Sequence, residues 1–166
     1  MDALDELVPT TETYARLPVA DAFNWADCAP AIEPGEWYLV AFRSTVRPDA
    51  DIERLREYDD WAHAEASGTP GFVHYFKGPL ASDGTCLSFC LWNSRAEARA
   101  TAGRPAHREA VAIVSRMYAA YTLEFISLRK THPAGSLDFS PYDTDQQPAA
   151  LPITSQPSLG FSPAPS

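Results

Sequence analysis

The stretch that decides the fold runs from Phe72 to Glu97. It reads Phe72-Val-His-Tyr-Phe-Lys77, a loop from Gly78 to Gly84, Thr85-Cys-Leu-Ser-Phe-Cys-Leu-Trp92, then Asn93-Ser94-Arg95-Ala96-Glu97. Two runs rich in β-branched, aromatic and thiol residues flank a glycine-bounded loop, the pattern of a hairpin. Ser94 followed three residues later by Glu97 is a capping box, so a helix begins there. Working outward, Trp37–Val46 is another strand. Pro48 and Asp49 then open a helix that carries Ile52, Leu55, Asp59, Ala62 and Ala66 at helical spacing, and Gly68 stops it. Gly103-Arg104-Pro105 breaks the helix begun at Ser94, and Pro105 starts a further segment bearing Ala110, Ile113, Val114 and Met117. Tyr121–Arg129 is the last strand. The order is βαββαβ, an α+β, ferredoxin-like arrangement with an antiparallel sheet.

Composition sets the boundaries of this unit. The chain has 166 residues and a formal charge of −9. Residues 1–36 carry eight acids and one base, residues 37–131 eleven acids and twelve bases, and residues 132–166 three acids and no base. The acidity therefore belongs to the flanks. Seven of the 15 prolines fall in residues 132–166. Three parts follow: an acidic extension over 1–34, expected to dock through Phe23 and Trp25; a ferredoxin-like domain over 35–131; and a Pro-rich arm and flexible tail over 132–166. The core's bases are interspersed with its acids and form no stripe for phosphates, which argues against nucleic acid. No apolar run approaches the roughly 18 residues of a membrane span, and the N-terminus lacks the basic start and apolar stretch of a signal peptide. A cytoplasmic protein with no membrane partner is expected. Cys86 and Cys90 stand about 13 Å apart along one strand, too far for a disulfide with each other.

Splitting each strand by parity gives two sets of side chains. One is apolar: Tyr38, Val40, Phe42, Leu87, Phe89, Leu91, Leu123 and Phe125. The other mixes Trp37, Leu39, Ala41, Arg43, Phe72, His74, Phe76, Cys86, Ser88, Cys90, Trp92, Thr122, Glu124, Ile126 and Leu128. Neither resembles a face left in water. Helices cover only one face of such a sheet, so the other implies a second copy of the chain, a homodimer. The mixed set reads as the wall of a ligand cavity and is expected to lie under the helices, where small Ala62 and Ala66 leave room. The competing reading is an Arg43–Glu124 ion pair among space-filling thiols.

The segments Trp37–Arg43, Ala62–Ala66, Pro70–Gly78, Cys86–Trp92, Pro105–His107 and Met117-Tyr118 resemble an uncharacterised family of fungal and bacterial proteins, over about residues 23–143. More loosely, the strand ending at Trp92-Asn-Ser94 and the helix with Pro-Ala-His107 resemble the antibiotic-biosynthesis monooxygenase group. That resemblance implies a dimeric α+β barrel with cavities between sheet and helices. Enzymes of that group include cofactor-free oxygenases for aromatic polyketides, and relatives with this architecture degrade haem or isomerise lactones, so chemistry of these kinds is what the resemblance implies.

The candidate chemistry follows from the polar groups. His107, on the inward stripe of the last helix, and His74, on the mixed face, are the candidate proton acceptors. Arg43, Phe76, Ser88, Cys90, Trp92 and Glu124 are the candidate substrate contacts. Asp59 and His63, four residues apart on one helix, form a candidate dyad. No motif for a metal or a nucleotide is present. The sequence thus points to a small-molecule enzyme without metal or nucleotide cofactor, acting on an apolar or aromatic molecule. The alternatives are a non-catalytic dimeric binding module and a haem-handling protein that uses His107 or His74.

Overall fold

Strand β1 (Gly35–Val46) is the centre of the architecture because both of its edges are paired along most of its length. The computed structural model describes residues 3–142, and the tail reading for 143–166 lies outside them. Helix α1 (Ile52–Ser67) follows, capped by the Asp51 side chain accepting from the Arg54 N–H at 3.0 Å. Then come β2 (Phe72–Phe76), β3 (Thr85–Trp92), α2 (Arg95–Ala102), α3 (Pro105–Met117), β4 (Tyr118–Lys130) and β5 (Asp138–Pro141). The capping box at Ser94 is formed: the Ser94 hydroxyl accepts from the Glu97 N–H and donates to the Glu97 carboxylate at 2.7 Å. The turn into β2 needs Gly71, whose φ of 81° is left-handed and whose missing Cβ leaves space for the Glu97 carboxyl group.

The sheet order is β2-β3-β1-β4-β5, antiparallel throughout, so the fold is α+β and ferredoxin-like with a fifth strand added at the β4 edge. Register corrects the division of faces drawn from parity. Leu39 pairs with Leu91, Ala41 with Phe89 and Arg43 with Leu87, so the odd-numbered residues of β1 share a face with Leu87, Phe89 and Leu91. Val40 pairs with Cys90, Phe42 with Ser88 and Ser44 with Cys86, which puts the thiols and the serine on the opposite face. An irregularity between Phe72 and His74 also sends Phe72 to the face of Trp92, while His74 and Phe76 join Leu91 and Phe89. Alternation within a strand says nothing about which parity its neighbour contributes to a face.

The helices cover the face of Phe42, Ser44, Ser88 and Cys90. A small core at its end joins Tyr38, Cys90 and Trp92 to Ala66 and Ala98. The other face is not left open. Residues 3–34, in short helical turns at Ala3–Glu6, Tyr14–Arg16, Val19–Ala22, Trp25–Cys28 and Ala29–Ala31, pack across it. Leu4, Tyr14, Val19, Phe23 and Trp25 join Leu39, Leu87, Phe89, Leu91 and Leu128 in one buried cluster. The argument that this face requires a second copy is therefore superseded by the chain's own leader.

Candidate functional site

Between the sheet and helices α1 and α3 lies a cavity of about 130 Å³. A second space of about 380 Å³ adjoins it toward the β2–β3 loop and shares Leu55, Asp59, Tyr75, Ser88 and Tyr118 with it. Each element contributes for a local reason. In α1, Leu55, Asp59, Ala62 and Ala66 recur at the helical period on the inward stripe, and the two alanines hold that helix's side of the cavity open. From the sheet, Phe42, Tyr75, Cys86, Ser88, Cys90 and Tyr121 line the floor, and α3 supplies His107, Ala110 and Val114.

The polar groups fall into two sets. Tyr75 donates its hydroxyl to Asp59 Oδ1 at 2.6 Å, and Lys77 Nζ stands 2.7 Å from Asp59 Oδ2 and 3.1 Å from Asp60. Asp59 Oδ2 and His107 Nδ1 are both buried without a hydrogen-bond partner. The Lys77 ammonium compensates the first at 2.7 Å, whereas no ion pair reaches the second among the described residues. Burial pushes the His107 imidazole below its ordinary pKa, and the Glu65 carboxylate pulls it partly back. The ring is therefore neutral at physiological pH and able to accept a proton. The phenols and thiols of the cavity are held in their protonated forms. Burial, reinforced by Asp59, raises the Tyr75 phenol and the Cys90 thiol, and burial likewise raises Cys86, Tyr118 and Tyr121.

Glu65 carries no motif that marks a capping role, yet it sets the position of His107. Its carboxylate, on α1, accepts the backbone N–H of Ala106 at 3.5 Å and of His107 at 3.2 Å, at the open N-terminus of α3. Arg104, the residue before Pro105, gives no side-chain cap. A carboxylate from the neighbouring helix fills that role and is favoured by the helix dipole. A cap supplied from 41 residues upstream of Ala106 leaves no local signal in the sequence. Glu65→Ala is expected to cost about 0.5–2 kcal/mol, as loss of an N-cap does, measurable by urea unfolding.

The structure brings Asp59, His63, Ser88, Cys90 and His107 around the cavity. It does not bring the others. Arg43 lies on the leader face, where its Nε donates to Glu124 at 2.6 Å and its guanidinium also donates to the Ala15 carbonyl. Arg43 and Glu124 are thus a structural ion pair. Phe76 stacks on Phe89 at 5.4 Å and meets Phe23 at 4.7 Å under the leader. His74 shares that face, with a side chain 11% exposed and its Nδ1 3.8 Å from the Asp5 carboxylate. Trp92 is on the helix side but is packed edge-on against Phe72 in the small core, outside the cavity wall. Asp59 and His63 do not form a dyad. Asp59 is taken by Tyr75 and Lys77, and the His63 ring packs on Tyr75 at 4.8 Å. Of the two histidines weighed as haem ligands, His107 alone borders the cavity. Among the described residues, no group of three or more His, Cys, Asp or Glu gathers in a way that would hold a metal ion. No helix among them is long and apolar enough to cross a membrane.

The model of the PB2B2.08-like family matches residues 1–141, and the chain belongs to that family. No curated protein matches it. Several solved structures share the fold at low identity. A candidate antibiotic biosynthesis monooxygenase from Nitrosomonas europaea superposes with a TM-score of 0.50 at 14% identity, over 63% of this chain and 98% of that one. SnoaB, a cofactor-independent oxygenase from Streptomyces nogalater, gives 0.45 at 14% identity, over 59% and 95%. A dimeric ferredoxin-like protein from Thermobifida fusca gives 0.46 at 15% identity, over 58% and 92%.

Proposed function

We propose that this member of the PB2B2.08-like family is a cytoplasmic small-molecule enzyme that uses no metal or nucleotide cofactor. It takes an apolar or aromatic substrate into the cavity between the sheet and helices α1 and α3. The observation that carries this reading is His107: a half-buried imidazole whose enclosed Nδ1 has no hydrogen-bond partner, on the wall of a cavity lined by Phe42, Tyr75, Tyr121 and Val114. An imidazole with an uncommitted nitrogen on a mostly apolar wall suits abstraction of a proton from an activated C–H. The protonated ring is then stabilised by the Glu65 carboxylate, and Tyr75, whose hydroxyl proton is given to Asp59, offers its oxygen as an acceptor for a substrate hydroxyl. The carbanion either takes up a proton elsewhere, which is isomerisation, or reacts with dioxygen. In the second case a methylene group and O2 give a carbonyl and water, so the substrate supplies the electrons.

Anthrone, whose methylene lies between two rings and opposite a carbonyl, is a suitable probe. Incubated with the full chain in air, it is expected to give anthraquinone with one O2 consumed per product. Binding without conversion, for anthrone and for a set of enolisable aromatic ketones assayed for isomerisation, would replace this reading by a non-catalytic binding module. That second reading is favoured by the Lys77–Asp59–Tyr75 set, whose members are bonded to one another and give His107 no acid–base partner among the described residues.

A pH profile tests the base directly. Because burial lowers the His107 pKa, turnover is expected to be constant at neutral pH and to fall as pH drops through a value below that of an ordinary histidine. Glu65→Gln removes the charge that favours the imidazolium, so the acid limb is expected to move to still lower pH. An acid limb at or above the ordinary histidine value would contradict the assignment.

A further inference from the structure

A sheet with two apolar faces needs two covers. Helices α1 and α3 provide one. On the other face, Leu39, Leu87, Phe89, Leu91 and Leu128 are each no more than 2% exposed, although the chain is a single copy. Their cover is residues 3–34, with Phe139 of β5 packed at the margin. Apolar contact is only part of the attachment. Lys130, 2% exposed, donates its ammonium to the carbonyls of Ala29 and Ile32, each at 2.6 Å. Tyr14 donates its hydroxyl to the Pro79 carbonyl at 2.6 Å, Arg43 reaches the Ala15 carbonyl, and Arg16 pairs with Asp83 at 2.7 Å. Two of these anchors, Lys130 and Arg43, are cations of the sheet whose hydrogen bonds reach leader carbonyls. A buried ammonium is tolerated only where such acceptors are fixed, so the face is built for this segment. The Nitrosomonas chain is matched over 98% of its length by 63% of this one, so more than a third of this chain has no counterpart in it.

We propose that residues 3–34 stand on this sheet face in place of a second copy of the chain. One copy then carries a finished sheet and a complete cavity, and self-association through this face is closed. A homodimer, expected from the sequence, is left to use a different surface.

Two measurements on the full chain test this. In the first, carbon-13-labelled and unlabelled chains are unfolded, refolded together and examined by isotope-filtered NOE spectroscopy. Contacts from Phe23 and Trp25 to Phe76 and Phe89 are expected within one chain only. Contacts between copies at Phe76, Phe89 or Leu91, whether sheet to sheet or by an exchanged leader, would overturn the proposal. The second needs no refolding: amide hydrogen exchange of the native protein over a hundredfold dilution. Protection of residues 14–28 and of β3 is expected to be independent of concentration. A tenfold or greater loss of protection on dilution would show that another copy supplies the cover.

Discussion

Alanine at His107 is expected to lower turnover of anthrone by about a hundred- to ten-thousand-fold, the usual contribution of a positioned general base, with the chain still folded. The fold should survive because Nδ1 makes no hydrogen bond to lose, and the ring borders an existing cavity rather than a filled core. Alanine at His74 is expected to do the reverse. That ring lies on the leader face beside Phe89 and the Asp5 carboxylate, so its removal loosens the leader and leaves turnover unchanged. The pair of variants separates two residues that the sequence places on an equal footing. Turnover retained in a folded His107→Ala protein would end the proposed mechanism, and a loss confined to His74→Ala would move the site to the other side of the sheet.

The order of strands and helices was legible because each boundary has a local cause: the capping box at Ser94, Pro105 at a helix start, and glycine at turns. Helix α3 also kept its inward stripe, since Ala110, Ile113 and Val114 follow a period that belongs to the helix alone. Sheet faces were a different matter. Assigning Ser88 and Cys90 to the helix side together with Phe42, and Arg43 to the leader side with Leu87, depends on the β1–β3 register. That register is a long-range property. The residues misplaced by it, Arg43, Glu124, Phe76 and His74, are those whose charge or ring made them conspicuous. Once register is known, Arg43 and Glu124 cease to be a substrate clamp and become a tie between sheet and leader. The capping role of Glu65 is illegible for a related reason. Among the acids of a helix, the one that caps another helix is distinguished only by what folds against it.

Trp25→Ala in the leader is expected to destabilise the protein by about 3–5 kcal/mol, the range for removing a buried large aromatic side chain. The indole is 5% exposed and donates its Nε1–H to the Val19 carbonyl at 2.8 Å. It lies 5.4 Å from the ring of Phe89 in β3 and 5.1 Å from that of Phe139 in β5, so it joins the leader to two strands. Its position also decides between a lid and a strap. A lid over the cavity would affect ligand affinity more than stability. Trp25 instead sits on the sheet face opposite the cavity, so the loss should appear in stability while the anthrone dissociation constant of the folded protein stays unchanged. The denaturant slope carries further information, because it scales with the surface exposed on unfolding. If leader and sheet unfold as one unit, the midpoint falls and the slope is kept. A separate early transition would mean that the domain keeps its sheet without the leader. That outcome conflicts with a face in which Leu39, Phe89 and Leu91 are dry only because residues 3–34 lie on them.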